Sequence, residues 1–170
     1  MGYELAEVNI ARMKAPIDDP SFKGFVDALE PVNALADAAP GFVWRLQTED
    51  DNALSIRAFA WDVRGTSGLL INMSVWTSVD TLAAFTFSGE HLAILKRRRE
   101  WFHRVKDVMT ALWWVPAGYR PTPADAEEKI KHLRVHGPTP EAFTLKQHFP
   151  APDAAVVEAR EGDPDWLCPA

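Results

Sequence analysis

Apolar and polar positions alternate most clearly between Leu69 and Trp76. In LLINMSVW, Ile71, Met73 and Val75 fall on one side of an extended chain, and Asn72, Ser74 and Trp76 on the other. The first set reads as core. The second puts an amide, a hydroxyl and an indole in a row on an interior strand, where burial without partners is costly. That side therefore lines a pocket or an interface. Thr77-Ser78 starts a helix after the strand, and Ser88-Gly89 breaks the helical pattern into two consecutive segments that reach Phe102. His91 and Arg98 in the second segment are seven residues apart, near two helical turns, so both project from one face.

The same reading extends along the chain. Tyr3–Ile10 alternates as a strand, with Leu5, Glu7 and Asn9 on one side and Ala6, Val8 and Ile10 on the other. Asp18-Asp19-Pro20 starts a helix whose apolar positions run from Phe22 to Ala39, and Pro31 is expected to kink or split it. Phe42–Gln47 reads as a strand with Phe42, Trp44 and Leu46 on one face. A short hairpin partner is expected over Leu54–Trp61, a further strand over Val108–Val115, and a helix over Pro123–Val135 capped by Thr122. Ala142–Phe149 is expected as a last edge strand. Trp113 and Trp114 face opposite ways, and Trp114 is the one assigned to the side of Trp76.

The order strand–helix–strand–(strand)–strand–helix–strand predicts an α+β protein of the ferredoxin-like, split βαβ kind, an antiparallel sheet with helices on one face. The other face carries Trp and Phe side chains and must also be covered. A homodimer with two such sheets face to face would cover it, and so would an extra helix folded across it.

Composition narrows the partners. At 170 residues, with 47% hydrophobic and 25% charged residues, the chain fits one domain over residues 1–150 and an acidic tail over 151–170. The net charge of −6 argues against nucleic acid and anionic membranes. Cys168 is the single cysteine, so no intramolecular disulfide forms. No apolar run suits a membrane span or a signal peptide, so a cytoplasmic location is expected. His132 and His136 have a metal-ligand spacing without an accompanying carboxylate motif, and no metal site is expected. Phosphate loops, nucleotide fingerprints and a Ser–His–Asp spacing are missing from the sequence.

Several motifs then converge. ELAEVNIAR, PGFVWRLQ, NMSVW, SGEHLAILKRRREWF, LWWVPAG and GPTPEAFT together span nearly all of residues 3–150. In these the chain resembles the dimeric α+β barrel proteins of the antibiotic-biosynthesis monooxygenase-like group. The fuller pattern resembles the bacterial family catalogued as domain of unknown function 3291. The resemblance implies a ferredoxin-like fold and a homodimer, and no established activity. Cofactor-free quinone-forming monooxygenases of that superfamily use an asparagine and a tryptophan four residues apart on a strand, which Asn72 and Trp76 match. Their second asparagine, on the first strand, is matched by Asn9.

Two functions follow as expectations. One is a small enzyme of secondary metabolism acting on a hydrophobic, aromatic or polyketide-like molecule, without a cofactor. Its chemistry would be oxygenation or a proton-transfer step such as cyclisation or isomerisation. Asn72, Ser74, Trp76, Asn9 and Trp114 would hold the substrate, His91 would move protons and Arg98 would stabilise a developing anion. The alternative is a non-catalytic dimeric protein that binds haem or a lipophilic small molecule in the same aromatic cavity.

Overall fold

The computed structural model describes residues 2–50, 52–54, 59 and 68–153. Four strands, β1 (Tyr3–Arg12), β2 (Phe42–Arg45), β3 (Leu69–Trp76) and β4 (Thr110–Pro116), form one antiparallel sheet in the order β2-β3-β1-β4. This is the split βαβ topology expected from the element order. The two central strands pair Leu5 with Trp76, Glu7 with Ser74 and Asn9 with Asn72. Period-two alternation then sends all six side chains to the same face of the sheet.

The helices are α1 (Lys23–Asp37), α2 (Val79–Thr86), α3 (Gly89–Arg97) and α4 (Pro123–His136). Asp19 accepts a bond from the Ser21 amide at 2.9 Å, and a short 3₁₀ turn at Pro20–Phe22 leads into α1. Pro31 does not split the segment into two helices: α1 runs through it. The bond it forgoes is to the carbonyl of Asp27, an exposed residue where water can replace the missing amide. Ser78 and Thr81 form a reciprocal capping box at the start of α2, so the Thr77-Ser78 signal is met. Helix α3 ends at Arg97, and residues 98–100 tighten into a 3₁₀ turn rather than continuing to Phe102.

Strand β2 departs from the simple alternation. Its pairing with β3 shifts between Phe42 and Trp44, so that Phe42 lies opposite Trp76, Trp44 opposite Val75 and Arg45 opposite Ser74. The extra residue sends Trp44 to the opposite face from Phe42 and turns Arg45 to the same side as Ser74. Just before it, Gly41 has φ +79° and accepts the Thr77 amide at 2.8 Å. A Cβ there would lie 2.5 Å from the Thr81 side chain, so only glycine lets β2 approach the start of α2 this closely.

Helices cover both faces of the sheet, not one. On the face of Ala6, Val8, Ile10, Ile71, Met73, Val75, Ala111, Trp113 and Val115, the cover includes Ala126, Ile130 and Leu133 of α4. Thr122 caps α4, with Asp125 returning the bond. This face, read from the sequence as core, is buried within the one chain, each of those nine residues being 4% exposed or less. The other face looks toward α1, α2 and α3.

The segment after α4 is not the expected edge strand over Ala142–Phe149. Phe143 exchanges two backbone bonds with Leu112 (2.8 and 2.9 Å) in a single bridge on the outer side of β4. Its neighbour Ala142 packs with the α4 face and Phe143 with the opposite one, so the pair straddles the sheet edge. The loop is tied to α4 by His132, whose Nε2 is 2.8 Å from Thr139 Oγ1 and whose Nδ1 is 3.2 Å from Glu141 Oε2. The expected Leu54–Trp61 strand falls largely outside the described residues, as does the tail from residue 154 onward. No described helix is long and apolar enough to cross a membrane.

Candidate active site

A cavity of about 590 Å³ lies between the polar face of the sheet and a roof that includes α1, α3 and the strip from Arg98 to Val105. Its volume falls in the range that encloses a small organic ligand. The floor is the cross-strand ladder already described. At one end Trp76 is stacked on Phe85, with ring centres 5.2 Å apart, and meets Phe42 edge-on at 5.4 Å. In the middle stand Glu7 and Ser74. At the other end Asn9 faces Asn72, with Thr110 beside Asn9 on β4. Exposure along β3 rises in that direction: Trp76 and Ser74 are buried, Asn72 is exposed. The cavity therefore opens at its asparagine end.

Glu7 is the feature that stands out chemically. Ser74 Oγ donates to Glu7 Oε2 at 3.1 Å, and Trp76 Nε1 donates to Ser74 Oγ at 2.9 Å. An indole, a hydroxyl and a carboxyl thus form one chain along the floor. Burial disfavours the carboxylate and pushes the Glu7 pKa up to about 7, while the Ser74 hydroxyl pulls it partly back. Among the described lining residues Glu7 is the only carboxylate. Arg45 stands opposite Ser74, but its guanidinium is held by Asp37 of α1 at 2.8 and 3.1 Å. That pair fastens β2 to the end of α1.

The sequence-predicted residues sort cleanly. Asn72, Ser74, Trp76, Asn9, His91 and Arg98 all line this one cavity. Neither Asn9 nor Asn72 has a hydrogen-bond partner for its carboxamide among the described residues, so both amides remain available to a bound molecule. Ser74 is occupied as the link between Trp76 and Glu7. His91 Nδ1 is 2.9 Å from the Thr86 carbonyl, and its ring packs on Phe85. A carbonyl only accepts, so Nδ1 carries the hydrogen and, in neutral imidazole, Nε2 is the acceptor. Arg98 donates to the Leu95 carbonyl at 2.7 Å from the end of α3.

Trp114 is the exception. It shares the correct face of β4, but its indole donates to the Phe149 carbonyl at 2.9 Å and its ring packs with Phe143. The segment leading to Phe149 roofs that corner, and Trp114 does not line the cavity. Glu7 was missed as a site residue, although the alternation that turns Asn9 toward the cavity turns Glu7 the same way.

The arrangement has the parts of a proton-transfer site. It holds a carboxyl that titrates near neutrality, an acceptor imidazole nitrogen, two unengaged amides and an aromatic end wall. By architecture the protein is a ferredoxin-like α+β fold with a cavity over one sheet face. The chain belongs to the family described as domain of unknown function (DUF3291), whose model matches residues 4–159. No curated protein gives a significant match. Among solved structures, the chain is similar to SnoaB, a cofactor-independent oxygenase from Streptomyces nogalater. That likeness has 15% identity and a TM-score of 0.41, over 69% of this chain and 95% of that one. It is also similar to a Nitrosomonas europaea protein provisionally described as an antibiotic biosynthesis monooxygenase. There the identity is 13% and the TM-score 0.44, over 70% of this chain and 94% of that one. At this distance the likenesses carry no argument about chemistry, which rests on the cavity.

Proposed function

We propose that the protein is an enzyme that removes a proton from a planar, hydrophobic ring compound without a cofactor. The observation that carries this reading is Glu7: a carboxyl on the cavity floor, raised to about 7 by burial and held by Ser74. Its carboxylate is the base. The Trp76–Phe85 wall packs against the ring, and Asn9 and Asn72 hold the oxygen on which negative charge develops. His91 is the second proton carrier, fixed in one tautomer by Thr86. The resulting carbanion can re-protonate elsewhere, as in isomerisation or cyclisation, or reduce dioxygen directly in an oxygenation. A role in secondary metabolism is part of the same proposal, as is the homodimer that the family resemblance implies.

Anthrone is a suitable probe, a three-ring ketone with an acidic methylene. In deuterated buffer the protein should accelerate exchange of the methylene protons, with a rate that rises through about pH 7 as Glu7 ionises. Oxygen uptake in the same assay separates oxygenation from simple proton transfer. Glu7→Gln should abolish the acceleration. Exchange that is equally fast in the variant would sink the assignment of Glu7 as base.

A further inference from the structure

We infer that the open end of the cavity is an oxyanion-binding mouth, so that the substrate is a ring compound bearing a terminal carboxylate or phosphate. This rests on the proposed function and names its substrate class. Arg98, Arg99 and Arg104 all line the cavity, all are exposed, and all belong to the strip that follows α3.

The strip is held in place. Its backbone is tied to the end of β1 by His103 N to Arg12 O at 2.9 Å and by Lys14 N to Trp101 O at 3.0 Å. Trp101 is buried beneath it among Phe22 and Phe25. Because Asn9 precedes Arg12 on the same strand, this tether sets the three arginines at the asparagine end, where β3 is most exposed. The cations thus stand at the entrance and the ring-sized apolar space lies behind them.

Among the described residues none of these three arginines has a carboxylate partner. Within residues 97–105 the only carboxylate is Glu100, and Arg97 holds it in a bidentate pair with both contacts at 2.9 Å. Arg98 spends one donor on Leu95. Arg99 and Arg104 have no side-chain partner among the described residues. Guanidinium forks match carboxylate and phosphate oxygens in pairs, which a lysine mouth would not do as well. A concentration of cations is also unexpected on a chain whose net charge is −6. Glu7, the only acid among the described lining residues, lies farther along the floor, so an anion seated at the mouth leaves it free to take a proton.

Three naphthalene probes test this by calorimetry: 1-naphthoate, 1-naphthyl phosphate and the uncharged methyl 1-naphthoate. At low salt at least one anion should bind about tenfold more tightly than the ester. The tighter of the two anions identifies the source of the oxyanion. The advantage should shrink as salt is raised toward about 0.5 M, because an exposed site is screened. Arg99→Ala and Arg104→Ala, both at exposed positions, should each weaken the anion several-fold and leave the ester unchanged. An ester that binds as tightly as both anions overturns the oxyanion mouth while leaving the cavity as a ring site. Failure of all three to bind overturns the mouth and the proposed function together.

Discussion

Ser74 reaches across the central pair of strands to donate its hydroxyl hydrogen to Glu7 at 3.1 Å, while accepting the indole hydrogen of Trp76 at 2.9 Å. The serine therefore sets two things at once, the direction of the carboxyl and the seat of the aromatic ring. Each can be tested apart from any substrate.

The carboxyl leaves a signature in stability. Its ordinary value of 4.5 governs the unfolded chain and about 7 the folded one. Between these the unfolded chain loses the proton while the folded chain keeps it, so stability falls as pH rises through that window. Glu7→Gln has no such loss. The variant should exceed the wild type by roughly 1–3 kcal/mol above about pH 8, and match it near pH 4. Urea unfolding across pH measures this, and parallel curves would show that Glu7 is not the group that titrates.

Ser74→Ala removes a bond that favours the carboxylate, so Glu7 should titrate at a still higher pH. The pH midpoint of anthrone exchange should move up accordingly. The Trp76 indole also loses its acceptor in a buried place, at a cost of about 1–3 kcal/mol. Ser74→Thr, which keeps the hydroxyl, should restore the midpoint if it packs without strain. A midpoint unmoved in the alanine variant would separate Ser74 from the ionisation of Glu7.

Asn72→Ala should cost the fold little, within about 0.5 kcal/mol, because its exposed carboxamide has no hydrogen-bond partner among the described residues. Turnover should nonetheless collapse if the amide holds a developing oxyanion, by roughly a hundredfold or more. Thermal melting and exchange kinetics on one preparation give both values. A large drop in melting temperature with proportionate loss of activity would assign Asn72 to structure.

Gly41→Ala should destabilise the protein by more than about 2 kcal/mol, since it adds strain at positive φ to a clash with Thr81. Gly89→Ala is the matched control. It too has positive φ, at +51°, but a Cβ there meets nothing within 4 Å. Its cost should be near 1 kcal/mol. Equal melting temperatures for the two variants would mean that the approach of β2 to α2 is looser than described.

Period two made the floor of the cavity readable in advance. Asn72, Ser74 and Trp76 were set on one face by their spacing alone, and the register of β1 with β3 brings Asn9 beside them. The same logic carried Glu7 to that face, yet nothing in its neighbours' identities reveals a raised pKa. That depends on depth beneath helices far away in sequence. The bulge in β2 was invisible for a related reason: it is a relation between two strands, and Phe42, Val43 and Trp44 are apolar on either reading. Pro31 does not divide α1, because the bond it forgoes lies at an exposed carbonyl where water can stand in for the missing amide. Trp114 was placed on the correct face and still misassigned, because a segment some thirty residues onward covers it.

The bridge between Phe143 and Leu112 reaches beyond the packing of one corner. Strand β4 borders the sheet, and an uncovered border presents amides and carbonyls to which any extended peptide can add itself. Phe143 occupies that border at Leu112 with two backbone bonds, while Ala142 and Phe143 grip the sheet from either side. The stretch after α4 thereby occupies, at Leu112, part of the border to which another strand could add. Loss of that segment should bare the backbone groups of Leu112 on the outer side of β4.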